Sequence, residues 1–249
     1  MGVVSVTRPI LRVENLVAGY GKLTIVQNIS LTVNEGDFIA IVGPNGSGKS
    51  TLVKSIFGLT TIFEGTIIFD GANITSQKPE NIARAGLGYV PQVSNIFADM
   101  TVTENLELGA ISSRGGNAGE RRRVLERVLR LFPDLSPKSR ARASSLSGGQ
   151  RQMLAVARVL MAEPKLLILD EASAGVAPIV AELLFQKLVE MHELGLTLIL
   201  VEQNARKALS IADRGVVLVQ GKKAFEGSPE EISHDKEIAK LFLGEATSI

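Results

Sequence analysis

No cysteine occurs among the 249 residues, which excludes disulfide bonds and thiolate metal sites. That fits a reducing cytoplasm. A surplus of one charge is also missing: 27 basic and 26 acidic residues leave a formal net charge of +1. A surface built to wrap DNA or RNA shows clustered excess Lys and Arg, so nucleic acid is not an expected partner. Residues Met1 to Pro9 lack the apolar centre of a signal peptide. The longest apolar runs, Lys165 to Leu169 and Leu196 to Val201, fall far short of the roughly 20 residues of a membrane span. Any membrane association is therefore expected to go through a partner.

What is present reads as α/β. The chain is long enough for one large domain, or for a core with a subdomain inserted. Ile29, Leu31 and Val33 alternate with polar residues, giving a strand with one apolar face. Phe38 to Val42 is a short buried strand, a helix is expected from Lys49 to about Gly58, and Thr66 to Asp70 is a further strand closed by Gly71. The unalternating Val, Ile and Leu of residues 165–169 and 196–201 suit strands covered on both faces.

The middle changes character. Thr101-Val102-Thr103-Glu104 matches a capping box. Ser112 to Gly119 reads as a polar loop, and Arg121 to Phe132 as an amphipathic helix. The run Arg121-Arg122-Arg123 reads as a solvated helix end rather than an anion site. From Leu146 helix and buried strand alternate again: a helix ends before Pro164, another runs from Pro178 to Gly195, and strands follow at 196–201 and 215–219. Ser228-Pro229-Glu230-Glu231 is a second capping box opening a helical tail. The fold class expected is a P-loop NTPase core with a mainly parallel sheet, an N-terminal antiparallel β portion and an inserted α-helical subdomain. The expected boundaries are 8–92 and 146–249 for the core and 93–145 for the insertion.

Gly43-Pro44-Asn45-Gly46-Ser47-Gly48-Lys49-Ser50 fits the pattern G-x-x-x-x-G-K-[ST] between a strand and a helix. Glycines let the backbone curl so that amides point at an anion, and the helix start adds positive potential. Lys49 is then expected at the β and γ phosphates and the Ser50 hydroxyl on Mg²⁺; Thr51, next on the helix, joins the nucleotide-binding set. The buried run Leu166 to Leu169 ends in Asp170 and Glu171. Ligand sites lie beyond the carboxyl ends of parallel strands, so Asp170 is expected on the metal side and Glu171 at the attacking water. Alone, this pair reads equally well as solvent-exposed acids; the P-loop decides for function.

Leu146-Ser147-Gly148-Gly149-Gln150 is a second Gly-rich helix start about a hundred residues away. One nucleotide does not need two cradles. The pentapeptide resembles the signature of the ABC ATPases, and the resemblance extends from about Leu11 to Gly227 with the motifs in the family's order. It implies that Tyr20 stacks on adenine, that Gln92 touches Mg²⁺, and that Ser147, Gly149 and Gln150 meet the γ phosphate held by an opposite subunit. It also implies a head-to-tail dimer holding two ATP molecules, with permease subunits as membrane partners and a solute-binding protein acting indirectly. The location expected is peripheral, on the cytoplasmic face of the membrane.

Two departures narrow the resemblance. Gln203 stands where many relatives carry a histidine, and the only histidines, His192 and His234, are elsewhere and read as surface residues. Ser173-Ala174-Gly175-Val176-Ala177-Pro178 replaces the family's aspartate-bearing loop. Val201-Glu202-Gln203-Asn204 with that loop resembles ATPase subunits of branched-chain amino acid importers, of the type with glutamine for histidine. A glutamine amide donates a hydrogen bond but carries no charge. The reading is an ATP-hydrolysing transporter motor. The alternatives are an ABC ATPase that remodels soluble or nucleic-acid assemblies, and a regulatory subunit that binds ATP without turnover; Lys49 and Glu171 weigh against the latter.

Overall fold

The computed structural model describes residues 8–93, 96–112 and 117–235, together with Ile238. The chain opens with the antiparallel pair β1 (Pro9–Tyr20) and β2 (Leu23–Asn34). β3 (Phe38–Val42) leads into helix α1 (Lys49–Ile56), and β4 (Thr61–Phe69) with the two-residue β5 (Ala72–Asn73) returns to the first sheet, in order β2-β1-β4-β5. α2 (Pro79–Ala85) and β6 (Leu87–Val90) follow. A helical stretch holds α3 (Val102–Gly109) and α4 (Ala118–Leu131), then α5 (Gly148–Leu160). The chain continues through β7 (Leu166–Asp170), α6 (Pro178–Glu193), β8 (Thr197–Glu202), α7 (Ala205–Leu209), β9 (Arg214–Val219), β10 (Lys222–Gly227) and α8 (Pro229–His234).

The second sheet has the order β10-β9-β3-β8-β7-β6, parallel throughout except for the edge pair β10–β9. Its centre explains the unalternating sequence. In β3, Phe38, Ala40 and Val42 face one apolar cluster, which includes α3, α4, α5 and α6. Ile39 and Ile41 face the other, formed with the antiparallel sheet and α1. Both faces are covered, so every position must be apolar.

Several boundaries differ from expectation. β4 begins five residues before Thr66 and ends at Phe69, because Asp70 and Gly71 both turn with positive φ. α1 stops at Ile56, two residues short of Gly58, whose φ of 72° ends the helix. α4 starts at Ala118 rather than Arg121, since Asn117 and Glu120 form a capping box there; Gly119 is thus helical, and residues 113–116 of the expected loop lie outside the described residues. The boxes at Thr101 and Ser228 are both formed. His192 is not a plain surface residue: its ring lies 5.5 Å from that of Phe38 and its Nε2 is 3.4 Å from Asp213 Oδ2.

Candidate functional site: a nucleotide cradle at the strand ends

Because β3, β8, β7 and β6 are parallel neighbours, their carboxyl ends share one edge. Val42 pairs with Glu202, Val201 with Asp170, and Leu169 with Val90. Residues far apart in sequence therefore leave the sheet side by side: Gly43, Gln203, Glu171 and Gln92.

The loop from Gly43 folds over its own lysine. Lys49 Nζ donates to Gly43 O at 2.8 Å and Pro44 O at 3.1 Å, and the side chain is only 3% exposed. Burial lowers the Lys49 pKa, while the fields of Glu171, Asp170 and Glu202 pull the other way. Gly48 is the N-cap of α1 with φ 98°, a conformation that favours glycine, and no side chain caps the helix. The first-turn amides of α1 are thus left for an incoming anion, and no acid stands in that turn. Ser47 Oγ is buried with no hydrogen-bond partner and lies beside Gly43, where a Cβ would come within 2.6 Å of it. Gly221 N donates to Ser47 O at 2.9 Å and so ties the loop to the turn between β9 and β10.

The acidic end meets this loop directly. Ser50 Oγ donates to Asp170 Oδ1 at 2.8 Å, and Tyr89 Oη donates to Asp170 Oδ2 at 3.1 Å. Burial and the Asp170 charge push the Tyr89 pKa up, so its proton stays in place. Glu171 Oε2 accepts from Gln92 Nε2 at 2.9 Å, and Glu171 Oε1 lies 4.0 Å from Lys49 Nζ. Glu171 has φ 48°, an uncommon backbone state for a residue with a side chain and one found at functional sites. Asn45, Gly46 and Pro44 form the exposed outer part of the curl, and Thr51 lies buried on α1.

The remaining expected residues are placed as follows. Tyr20, 46% exposed, ends β1 at the β1–β2 hairpin. Gln203 is exposed just past β8. Ser147 caps α5, accepting from Gln150 N at 3.3 Å, while Gln150 Oε1 accepts from Ser147 N and from Lys138 Nζ at 2.8 Å. Gly149 is buried against α6: a Cβ there would lie 2.5 Å from Val180 Cγ1. Gln92 bonds to Glu171 and not to the Ser50–Asp170 pair. The sequence reading gave no role to Tyr89 or Glu202. For Glu202 a signal existed, a carboxylate closing an otherwise apolar buried strand; for Tyr89 none did.

The pattern of the ABC transporter family matches residues 26–174, more than half of the chain and including the lysine loop, the capped glycine stretch and the acidic pair. The chain belongs to the ABC transporter ATP-binding family. It is an ATPase subunit of an ABC transporter. A probable branched-chain amino acid transport ATP-binding protein, LivF, of Archaeoglobus fulgidus is 40% identical over 235 residues, covering 94% of this chain and 98% of the relative. The lipopolysaccharide export system ATP-binding protein LptB of Haemophilus influenzae is 33% identical, covering 95% and 98%. The crystal structure of the ADP conformation of an ATP-binding cassette of an ABC transporter superposes with a TM-score of 0.84 at 31% identity, covering 96% of this chain and all of that one. Among the described residues no helix is long and apolar enough to cross a membrane.

Proposed function

We propose that the edge formed by Gly43 to Thr51, Asp170, Glu171, Gln92 and Gln203 binds MgATP and hydrolyses it. The observation that carries this reading is the convergence of Lys49, the Ser50–Asp170 pair and the Gln92–Glu171 pair at one sheet edge. The residues fit the nucleotide: uncapped amides, a buried lysine and the orphan Ser47 hydroxyl suit phosphate oxygens. They also fit Mg²⁺, since a hydroxyl and a carboxylate are hard oxygen donors. Among the described residues no group of three His, Cys, Asp or Glu could chelate a metal by itself, so phosphate oxygens would complete the shell. When bound, Mg²⁺ neutralises charge on the β and γ phosphates.

In this assignment Lys49 leaves the Gly43 and Pro44 carbonyls for the phosphates, and Ser50 and Asp170 hold the metal side. Tyr20 stacks on the adenine. Glu171 orients a water and takes its proton as that water attacks the γ phosphorus, and the bond to ADP breaks. Gln92 aims the Glu171 carboxylate, and Gln203 donates its amide to the γ phosphate. Ser147, Gly149 and Gln150 serve the nucleotide of a second subunit in a head-to-tail dimer. The core, residues 8–92 and 146–249, houses this chemistry, and residues 93–145 form the helical insertion.

Glu171→Gln tests the assignment: nucleotide binding by calorimetry persists, and phosphate release falls by about 100-fold or more, the scale of losing a positioned base. Unchanged release removes Glu171 from the mechanism.

Membrane permease subunits are the proposed partners, docking at the cleft of about 230 Å³ bordered by Phe57, Phe97 and Arg158. That places the subunit on the cytoplasmic face of the membrane. The solute is proposed to be a branched-chain amino acid delivered by a binding protein, on the strength of the likeness to LivF and of the Val-Glu-Gln-Asn string. Likeness to LptB supports lipopolysaccharide export as the second reading. Co-purification from native membranes separates them: a multi-span permease with a second, histidine-bearing ATPase marks the importer.

A further inference from the structure

β8 runs through buried apolar residues and then ends in a carboxylate, Glu202, which is only 2% exposed. A protein interior accepts such a group only when it is well bonded. Glu202 Oε1 accepts the Ser173 amide at 3.0 Å. It makes no ion pair among the described residues, and Lys49 feels it only through its field. Ser173 belongs to the tight turn that follows Asp170. In that turn Ala174 N donates to Glu171 O at 3.0 Å, and Glu171 N donates to Val201 O at 2.9 Å. The last two residues of β8 thus receive two amides of the turn, one through a backbone carbonyl and one through the Glu202 side chain. Between those two anchors sits Glu171 in its left-handed backbone state. Such a state persists only where the surroundings over-determine it. The residue after Glu202 is Gln203.

We propose that Glu202 is a positioning residue for hydrolysis: its carboxylate clamps the turn behind Glu171 to the same strand end that carries Gln203. Nucleotide engaged by Gln203 and the direction of the Glu171 carboxylate are thereby linked through one side chain. The inference rests on the site reading above. Burial, with the like charge of Glu171 adding to it, raises the Glu202 pKa. The group is therefore costly where it stands, while the bonds it accepts, from the Ser173 amide and hydroxyl and from the Gln203 amide, need only acceptor oxygens.

The test uses the purified full-length chain with three readouts: steady-state hydrolysis, ATP affinity by calorimetry, and hydrogen–deuterium exchange across residues 171–177. Glu202→Ala lowers kcat by about tenfold or more, the scale of a slightly misplaced reacting group. Its ATP affinity stays near that of the parent, and exchange at Ser173 speeds up. Glu202→Gln keeps an acceptor oxygen and therefore keeps both most of kcat and the slow exchange. If the alanine variant does not fold, Glu202→Thr, too short to reach Ser173, takes its place with the same expectation. Parental kcat in the Ala or Thr variant overturns the proposal, as does unchanged exchange at Ser173. Equal loss in the Gln variant overturns it too. Glu171→Gln measured alongside tests the site reading by itself, and exchange at Ser173 reads the clamp whether or not that reading holds.

Discussion

The two glycine-rich helix starts look alike as strings and differ as structures. At α1 the N-cap is Gly48, no side chain satisfies the first-turn amides, and a buried lysine lies across the loop. At α5 the N-cap is Ser147, and a reciprocal capping box with Gln150 satisfies the helix start from within. Free amides at a helix start are either capped by the chain or left for something else. The α1 start is left open, next to Lys49 and the Ser50–Asp170 pair; the α5 start is closed on itself, and the lysine beside it, Lys138, is bonded to Gln150. Under the proposed assignment the first holds phosphate by itself and the second meets a phosphate held by another subunit.

The largest test of this contrast is Lys49→Ala. Charge-assisted hydrogen bonds contribute about 1.5–3 kcal/mol each, so ATP affinity by calorimetry should fall by about 100-fold. Undiminished affinity would erase the distinction between the two helix starts. Gly149→Ala comes next. Its Cβ would press on Val180 Cγ1 at 2.5 Å, so stability in urea should drop by about 1–3 kcal/mol while the isolated chain binds ATP as before. Gly148→Ala, whose Cβ would meet only an arginine tip at 3.9 Å, should change little, and Val180→Ala should recover part of the Gly149→Ala loss. The smallest effect belongs to Ser147→Ala. Loss of the cap should cost about 1 kcal/mol in chemical denaturation and leave monomer ATP affinity unchanged. A fall in that affinity would mean that Ser147 serves the nucleotide of its own subunit.

Much of the molecule was legible locally. Strand–loop–helix around Lys49, the acidic pair at the end of β7, and the boxes at Thr101 and Ser228 follow from residue types at short spacing, and each is found as read. Boundaries were less legible. β4 starts five residues before the expected Thr66, the positive φ of Asp70 ends it one residue early, and the Asn117 box starts α4 three residues early, because these boundaries depend on few local cues.

Beyond the shared metal expected of Ser50 and Asp170, partnership across the sheet edge was not legible. That Tyr89 would hold Asp170, that Gln92 would reach Glu171, and that Glu202 would fasten the turn at Ser173 depend on strand order, which runs β3-β8-β7-β6 and not in chain sequence. The amino-acid string determined the chemistry on offer, since a lysine in a glycine loop and two carboxylates closing a buried strand have few other uses. Tertiary structure decided which side chains share it. Parallel strands with crossover connections bring residues from 29 to 120 positions apart to one edge, and only the assembled register sets the few ångströms over which hydrogen bonds form.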